Sequence, residues 1–415
     1  MTSALLTPPA DSLDLPARTP GRTLPQPYYT DPDIFSADLR RVFYANWLFA
    51  GHSCEVAAPG DFLAFSVGDE SVLIVRDADG VLHAHFNVCR HRGSRIATQE
   101  RGHAKALVCG YHQWVYSLDG CLASARLMGD DFDKAAYGLR GIAVRELAGL
   151  VFVCLSPAPP PFQPAADAIA PQLAPHALER AKVAARFSYD VRANWKLLVE
   201  NNRECYHCRG GHPEFCLSNF DLGMNGDPRV NGSYAATLER EYKRWKALGL
   251  APADVSFPDG SFYRVSRLPL KAGYRTESLD GQPVAPLLGD LTEAGTGSLR
   301  VVTLPNSWSH ANCDYALTTR LTPVGSELTR MDLAFLVRDD AIEGVDFDLD
   351  RVTDVWKATS EQDWQLCENN HAGVRSVAYE PGPYSAVTEN SVESFILWYE
   401  RQLASPTTLE MSDVQ

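Results

Sequence analysis

Cys89-Arg90-His91 and Cys109-Gly110-Tyr111-His112 stand seventeen residues apart and supply two thiolates and two imidazoles. Whatever this chain folds into must therefore bring two loops together around one metal centre. A [2Fe–2S] cluster held by four cysteines carries more negative charge than one in which two neutral imidazoles replace two thiolates on one iron, so the mixed set raises the reduction potential. Each pair offers one sulfur and one nitrogen, and two loops at the tip of a small β domain can clasp such a cluster. Zinc is the rival, since it also accepts two sulfurs and two nitrogens, but its ligand pairs usually repeat Cys-x2-4-Cys and His-x3-5-His. Neither pair here does.

At 415 residues, 45% hydrophobic and 22% charged, the chain has material for two buried cores. Its ten cysteines are scattered, without the dense framework of a small secreted disulfide protein, and this predicts a reducing, cytoplasmic location. The first residues lack a basic stretch followed by an apolar one, and the longest apolar run, Leu147 to Leu155, is far below the roughly 20 residues that span a bilayer. No membrane association is expected. A net charge of −14 sets nucleic acid aside as a partner, because the phosphate backbone repels it.

Residues 1 to 27 are rich in Pro, Thr and Ser and lack a core of their own. From Asp31 to Phe43, Ile34, Phe35, Leu39, Val42 and Phe43 fall on one helical face, which predicts an amphipathic packing helix. From Asp61 the period changes to two, with turns at Gly68-Asp69, Asp79-Gly80 and Asp119-Gly120, and Leu150 to Leu155 reads as a closing buried strand. Pro157-Ala158-Pro159-Pro160-Pro161 cannot continue a ladder and marks a stiff linker. Beyond it we expect a strand at 183–191, a helix from Asn194 to about Arg209, strands near 299–303, 315–322 and 328–337, and a helix from Asp348 to about Asn370. The predicted organisation is an arm and packing helix at 1–41, an all-β cluster domain at 42–156, a linker at 157–164, an α+β domain with an antiparallel sheet at 165–405, and a tail at 406–415.

A second site is legible in Glu200-Asn201-Asn202-Arg203-Glu204-Cys205-Tyr206-His207-Cys208-Arg209-Gly210-Gly211-His212. On a straight helix His207 and His212 diverge by about 140°. Gly210-Gly211 lets the chain leave helical geometry, so His212 can swing back and both imidazoles can bind one metal. The plain alternative is a helix end carrying capping histidines. A third ligand is offered by Asp363, which lies within the stripe Val352, Val355, Trp356, Thr359, Leu366, Cys367. A core-facing carboxylate calls for a partner, a metal or a buried Arg, unless it tilts out to solvent. His207, His212 and Asp363 together make the two-histidine, one-carboxylate set that leaves positions open on Fe(II) for O2. Cys205 and Cys208 also form a Cys-x2-Cys, which alone suggests a redox dithiol or a zinc site, but no βαβ context surrounds them and thiolates would spoil an oxygen-activating iron.

The flanks Asn87-Val88-Cys89-Arg90-His91-Arg92-Gly93 and Cys109-Gly110-Tyr111-His112-Gln113-Trp114 resemble Rieske proteins, and with the second motif the chain resembles the Rieske non-heme iron oxygenases over nearly its whole length. That resemblance implies a Rieske [2Fe–2S] domain bound by Cys89, His91, Cys109 and His112, then a helix-grip, START-like catalytic domain holding mononuclear Fe(II) at His207, His212 and Asp363. It implies that Glu204 links His207 to the outer Rieske histidine, His112, of a neighbouring subunit, hence a homotrimer. It also implies a separate NAD(P)H-dependent reductase with flavin and iron–sulfur centres. Glu where many members have Asp, together with Leu24-Pro25-Gln26-Pro27-Tyr28-Tyr29, Glu343-Gly344-Val345-Asp346-Phe347-Asp348 and Tyr379-Glu380-Pro381-Gly382-Pro383-Tyr384-Ser385, resembles the subgroup that demethylates quaternary ammonium betaines of the glycine betaine and proline betaine type. The implied reaction is hydroxylation of an N-methyl group with release of formaldehyde.

A permanently cationic ammonium has no N–H to donate, so aromatic faces are its expected contacts. Trp308 is the first candidate, with Tyr263 and Tyr384 weaker, and packing is the ordinary role for each; His310 is expected to line the pocket or fix a carboxylate, with a structural histidine as the plain alternative. Two other readings stay open: an oxygenase of an aromatic or other neutral substrate, by ring hydroxylation or O-demethylation, and a non-catalytic Rieske electron carrier.

Overall fold

The computed structural model describes residues 15–221, 228–250, 254–255 and 260–405; residues 1–14 of the arm and the predicted tail at 406–415 lie outside them. No helix among the described residues is long and apolar enough to cross a membrane.

The alternating segments before Pro157 form short strands: β1 (Leu48–His52), β2 (Asp61–Val67), β3 (Glu70–Arg76), β4 (Leu82–Phe86), β5 (Arg101–His103), β6 (Leu107–Val108), β7 (Val115–Tyr116), β8 (Leu122–Ser124), β9 (Gly141–Leu147) and β10 (Leu150–Cys154). Seven of them make a sheet in the order β1-β10-β9-β4-β3-β2-β5, and β6-β7-β8 form a separate three-stranded sheet. Tight turns set the registers. Between β9 and β10, Ala148 and Gly149 take φ of 46° and 87°, the left-handed pair that matches the twist of a two-residue hairpin. A side chain at Gly149 would meet the Leu178 backbone at 2.5 Å, so glycine is required there for space as well.

After the proline-rich stretch, β11 (Ala181–Val191), β12 (Asp254–Val255), β13 (Tyr263–Leu268), β14 (Ser298–Thr303), β15 (Ser307–Ala311), β16 (Ala316–Gly325) and β17 (Leu328–Arg338) pair throughout as antiparallel neighbours in the order β11-β17-β16-β15-β14-β13-β12. The architecture is α+β: an all-β domain followed by an antiparallel sheet with helices across it. A long helix, Leu349–Val374, opens on Asp348, whose side chain accepts from Arg351 N–H at 3.1 Å. It packs against β11 and the helix Trp195–Asn202. One hydrophobic core runs through both domains, while Leu73, Val75, Leu107, Trp114, Tyr116 and Leu122 make a smaller one around the sulfurs of Cys89 and Cys109.

The predicted packing helix differs in its second half. Asp31 caps Pro32–Ala37, accepting from Asp33 and Ile34 N–H, but Asp38–Phe43 widens into a π-helical turn in which Tyr44 N–H bonds to Leu39 O at 2.8 Å. The wider turn places Asp38 inside, where it accepts from Trp195 Nε1 at 2.9 Å and Tyr399 OH at 2.7 Å and pairs with Lys196. Lys196 and Asp38 are both fully buried, so removing either leaves an unanswered charge at a cost of about 3–5 kcal/mol. This pair anchors the helix from which the second site is built. The described part of the arm also has partners: Arg18 forks onto Glu393 and Glu400 of the helix Asn390–Ala404, and Leu24 is fully buried.

Candidate metal centres

The first centre lies on two loops with the same construction. The first leaves β4 at Asn87, whose side chain accepts from Ile96 and Ala97 N–H at 3.0 and 2.9 Å and so pins the base of the loop. Cys89 N–H bonds to Ser94 O and Gly93 N–H returns to Cys89 O, each at 2.9 Å, with Gly93 at φ 79°. The second loop joins β6 to β7. There Cys109 N–H bonds to Trp114 O at 2.9 Å and Gln113, at φ 59°, returns its N–H to Cys109 O at 3.1 Å. Both loops thus curl back on their own cysteine.

The two loops bring the His91 and His112 rings together and the Cys89 and Cys109 side chains together, with an asymmetry. Cys89 and Cys109 are buried, whereas His91 is exposed and His112 half-buried, their rings 4.5 Å apart. Sulfurs inside and nitrogens at the rim fit a cluster whose inner iron takes thiolates and whose outer iron takes imidazoles. The electrostatics agree. Burial opposes ionisation of Cys109, but the Tyr111 and His112 N–H groups with the Cys89 and Ser94 side chains outweigh it, and the thiol sits below its ordinary value. The Tyr116 hydroxyl lies 3.3 Å from Cys89 Sγ and accepts from Arg90 N–H at 3.0 Å, so its own proton points to the sulfur.

At the second centre the chain breaks earlier than the glycines suggested. The helix ends at Asn202, with Arg203 as its C-cap, and only a short helical turn, Cys208–Gly211, follows. The cause is local competition: Glu204 turns its carboxylate onto Tyr206 N–H and His207 Nδ1, and Cys205 closes a disulfide with Cys208. Gly210 and Gly211 are not left-handed; a side chain at Gly211 would meet Leu366 at 3.3 Å, so that glycine serves the approach to the 349–374 helix. The fold-back brings the Cα atoms of Cys205 and Cys208 to 5.0 Å, within the reach of the disulfide they form. The other eight cysteines are free.

His207, His212 and Asp363 come together. Asp363 Oδ1 lies 3.3 Å from His207 Nε2 and 2.9 Å from His212 Nε2. Two edges of about 3 Å are compatible with bonds of about 2.1 Å meeting near right angles at one metal. His212 Nε2 and Asp363 Oδ1 are buried without a hydrogen-bond partner, as metal-facing atoms are. The far nitrogens are fixed: His207 Nδ1 by Glu204, and His212 Nδ1 by Gln362 Oε1 at 2.9 Å, with Gln362 Nε2 donating to Glu214 at 2.9 Å. Burial alone would keep His207 neutral, yet Asp363 and Glu204 push its pKa up to about 10. The field that holds a proton there suits a metal cation equally. Cys208 also lies near both histidines, but its sulfur is spent in the disulfide and offers no thiolate. These residues fit Fe(II).

Trp308 and His310 project from β15 into one small cavity with the triad, while the weaker candidates Tyr263 and Tyr384 do not line it; Tyr384 instead donates to Glu200 at 3.3 Å. Trp356, Phe215, Arg203, Arg264 and Arg300, none of them singled out as pocket residues from the sequence, also line it. Trp356 was readable, since it precedes Asp363 by seven residues, two helical turns, and so shares its face. Its ring lies 4.0 Å from that of His310, and its Nε1 donates to Glu277 at 3.1 Å. Glu277 is fully buried; burial opposes its ionisation, but His310, Arg300 and Asn312 hold it down to about 2.

Two family descriptions match the chain: Rieske [2Fe-2S] domain over residues 46–131, and Ring hydroxylating alpha subunit (catalytic domain) over residues 178–405. The glycine betaine monooxygenase oxygenase subunit of Chromohalobacter salexigens is 42% identical, covering 97% of this chain and 92% of its own. That of Pseudomonas aeruginosa is 39% identical, covering 95% and 92%. Among solved structures, a quaternary ammonium Rieske monooxygenase in complex with L-carnitine matches with TM-score 0.70 at 22% identity, over 93% of this chain and 96% of its own. Naphthalene 1,2-dioxygenase bound to phenanthrene matches with TM-score 0.66 at 22% identity, over 93% of each chain, so the fold itself is shared across substrates.

Proposed function

This chain belongs to the ring-hydroxylating α-subunit family of Rieske non-heme iron oxygenases, and from that premise we propose that it hydroxylates an N-methyl group of a quaternary ammonium betaine of the glycine betaine or proline betaine type. The observation that carries this reading is the cavity at the triad, where Trp308, Trp356 and Phe215 present aromatic rings beside His207, His212 and Asp363. Such faces attract a cation that cannot donate a hydrogen bond. The identity to glycine betaine monooxygenase subunits along almost the whole chain supports the same substrate class.

When bound, the [2Fe–2S] cluster relays electrons and the iron activates O2. In balance, one oxygen atom enters a methyl C–H bond and the other leaves as water, using two electrons and two protons. The N-hydroxymethyl product then parts into formaldehyde and the demethylated amine. The chain's own work is orientation. Cys89, His91, Cys109 and His112 hold the cluster, and His207, His212 and Asp363 the iron. Glu204 holds the Nδ1 proton of His207, and its link to His112 of the partner subunit makes the active assembly a homotrimer. Electrons come from a separate NAD(P)H-dependent reductase with flavin and iron–sulfur centres, in the cytoplasm.

The test is formaldehyde release by the protein with a reconstituted reductase, over a panel of betaines and neutral arenes. Formaldehyde is expected from a betaine; none from any of them overturns the proposal. His207→Ala should abolish turnover while the Rieske EPR signal persists.

A further inference from the structure

Three arginines line the cavity at the triad, Arg203 after the 195–202 helix, Arg264 on β13 and Arg300 on β14. Their surroundings differ. Arg300 is answered by Glu277 at 3.7 Å, donates to Asn219 Oδ1 at 2.8 Å and lies over the Phe215 ring. Arg264 donates to Ser391 at 3.2 Å. Arg203 is 5% exposed, and its one side-chain hydrogen bond goes from Nη2 to Asn202; Nε and Nη1 are buried and unpartnered. No carboxylate among the described residues pairs with it, and the charge that weighs on it is another cation, Arg264. A guanidinium is costly to bury without an anion. Its neighbour Glu204 cannot serve, since that carboxylate is committed to His207 and Tyr206. Arg203 opens instead onto the space that Trp308, Trp356 and Phe215 share with the iron ligands.

We propose that Arg203, backed by Arg264, is the anchor for the substrate's carboxylate, and that it makes the site selective for zwitterions over plain quaternary ammonium ions. This rests on the betaine reading and sharpens it. The carboxylate pairs with the unpartnered guanidinium nitrogens, which turns the quaternary end toward the aromatic rings and the triad. A cation without a carboxylate, such as choline, meets an uncompensated positive charge at the same place. The inference also separates this pocket from one for neutral arenes, which have no use for a buried arginine.

The experiment uses the holoenzyme with its iron and cluster in place, as wild type, Arg203→Gln and Arg203→Lys, each checked for iron content, Rieske spectrum and thermal midpoint. Three ligands are titrated calorimetrically: glycine betaine, choline, and 3,3-dimethylbutanoate, which keeps the carboxylate and replaces the charged nitrogen by carbon. Arg203→Gln should weaken glycine betaine and 3,3-dimethylbutanoate by roughly ten- to a hundredfold, leave choline no weaker, and raise KM for betaine far more than it lowers kcat. Arg203→Lys should recover part of the loss. Equal binding of 3,3-dimethylbutanoate by wild type and Arg203→Gln overturns the anchor, as does an equal loss of choline, which would make Arg203 merely structural. If Arg203→Gln does not fold, Arg264→Gln is measured instead, with a smaller loss expected for the two carboxylate ligands alone; no loss there is equally fatal. If wild type oxidises no betaine yet binds 3,3-dimethylbutanoate through Arg203, the reaction assignment fails and the anchor stands.

Discussion

Replacing Gln362 by Leu tests whether the second centre is held as its geometry indicates. Gln362 Oε1 accepts from His212 Nδ1 at 2.9 Å, and Gln362 Nε2 donates to Glu214 Oε2 at 2.9 Å. This chain keeps the proton on Nδ1 and leaves the Nε2 lone pair facing Asp363. His212 is buried, so Leu would strand its Nδ1–H away from water. An unsatisfied buried donor costs about 1–3 kcal/mol, and loss of a hydrogen bond behind a metal-bound histidine typically weakens metal binding 10–100-fold, about 1.4–2.7 kcal/mol. The two figures agree because the stranded proton can be relieved by the other tautomer, which spoils the ligand. The assay is an Fe(II) titration of protein stripped of mononuclear iron but keeping its cluster, with Gln362→Glu as the companion. Leu should raise the Fe(II) Kd by roughly ten- to a hundredfold and Glu should restore or tighten it. An unchanged Kd in Gln362→Leu would refute the assigned orientation of His212.

Two further outcomes follow from groups outside the triad. Tyr116→Phe removes the O–H directed at Cys89 Sγ at 3.3 Å, and since hydrogen bonds to the sulfurs stabilise the reduced cluster, its potential should fall; an unaltered potential by protein-film voltammetry would contradict this. Glu200, held by Tyr29 OH at 2.8 Å and Tyr384 OH at 3.3 Å, has its carboxyl pushed up by burial from 4.5 to about 7. The native state therefore keeps a proton that the unfolded chain releases, so stability falls as pH rises from 4.5 to about 7, by about 3 kcal/mol in all. Glu200→Gln should lack that term, and the gap between variant and wild type in urea unfolding should widen across this window; a gap independent of pH would falsify the assignment.

Both sets of candidate ligands stand out by their spacing because metal ligation demands particular side chains at short separations. Cys89, His91, Cys109 and His112 needed only two loops, and His207 with His212 only one fold-back. Asp363 was found because a carboxylate within an apolar stripe needs a partner, wherever the partner comes from. The route of the fold-back was not legible, since glycine propensity pointed to 210–211 whereas a side-chain competitor, Glu204, ended the helix at Asn202. The burial of Asp38 was hidden likewise, because the π-helical turn that carries it inward depends on Lys196, Trp195 and Tyr399, remote in sequence. Nothing in the spacing of Arg203, Arg264 and Arg300 pointed to a shared cavity. Arg264 and Arg300 enter the site only because β13 and β14 alternate faces and both turn the same face to the 349–374 helix.

The proposed reaction places the oxidation at an N-methyl group beside the triad. It is tested most directly with glycine betaine whose methyl groups carry only deuterium, turned over with O2 and a reconstituted reductase and analysed by mass spectrometry. The expected products are dimethylglycine retaining two intact trideuteromethyl groups and an equal amount of dideuterated formaldehyde, with both lost in Asp363→Ala although the Rieske spectrum remains. Recovery of the labelled betaine unchanged by wild type, or undiminished products from Asp363→Ala, would contradict it.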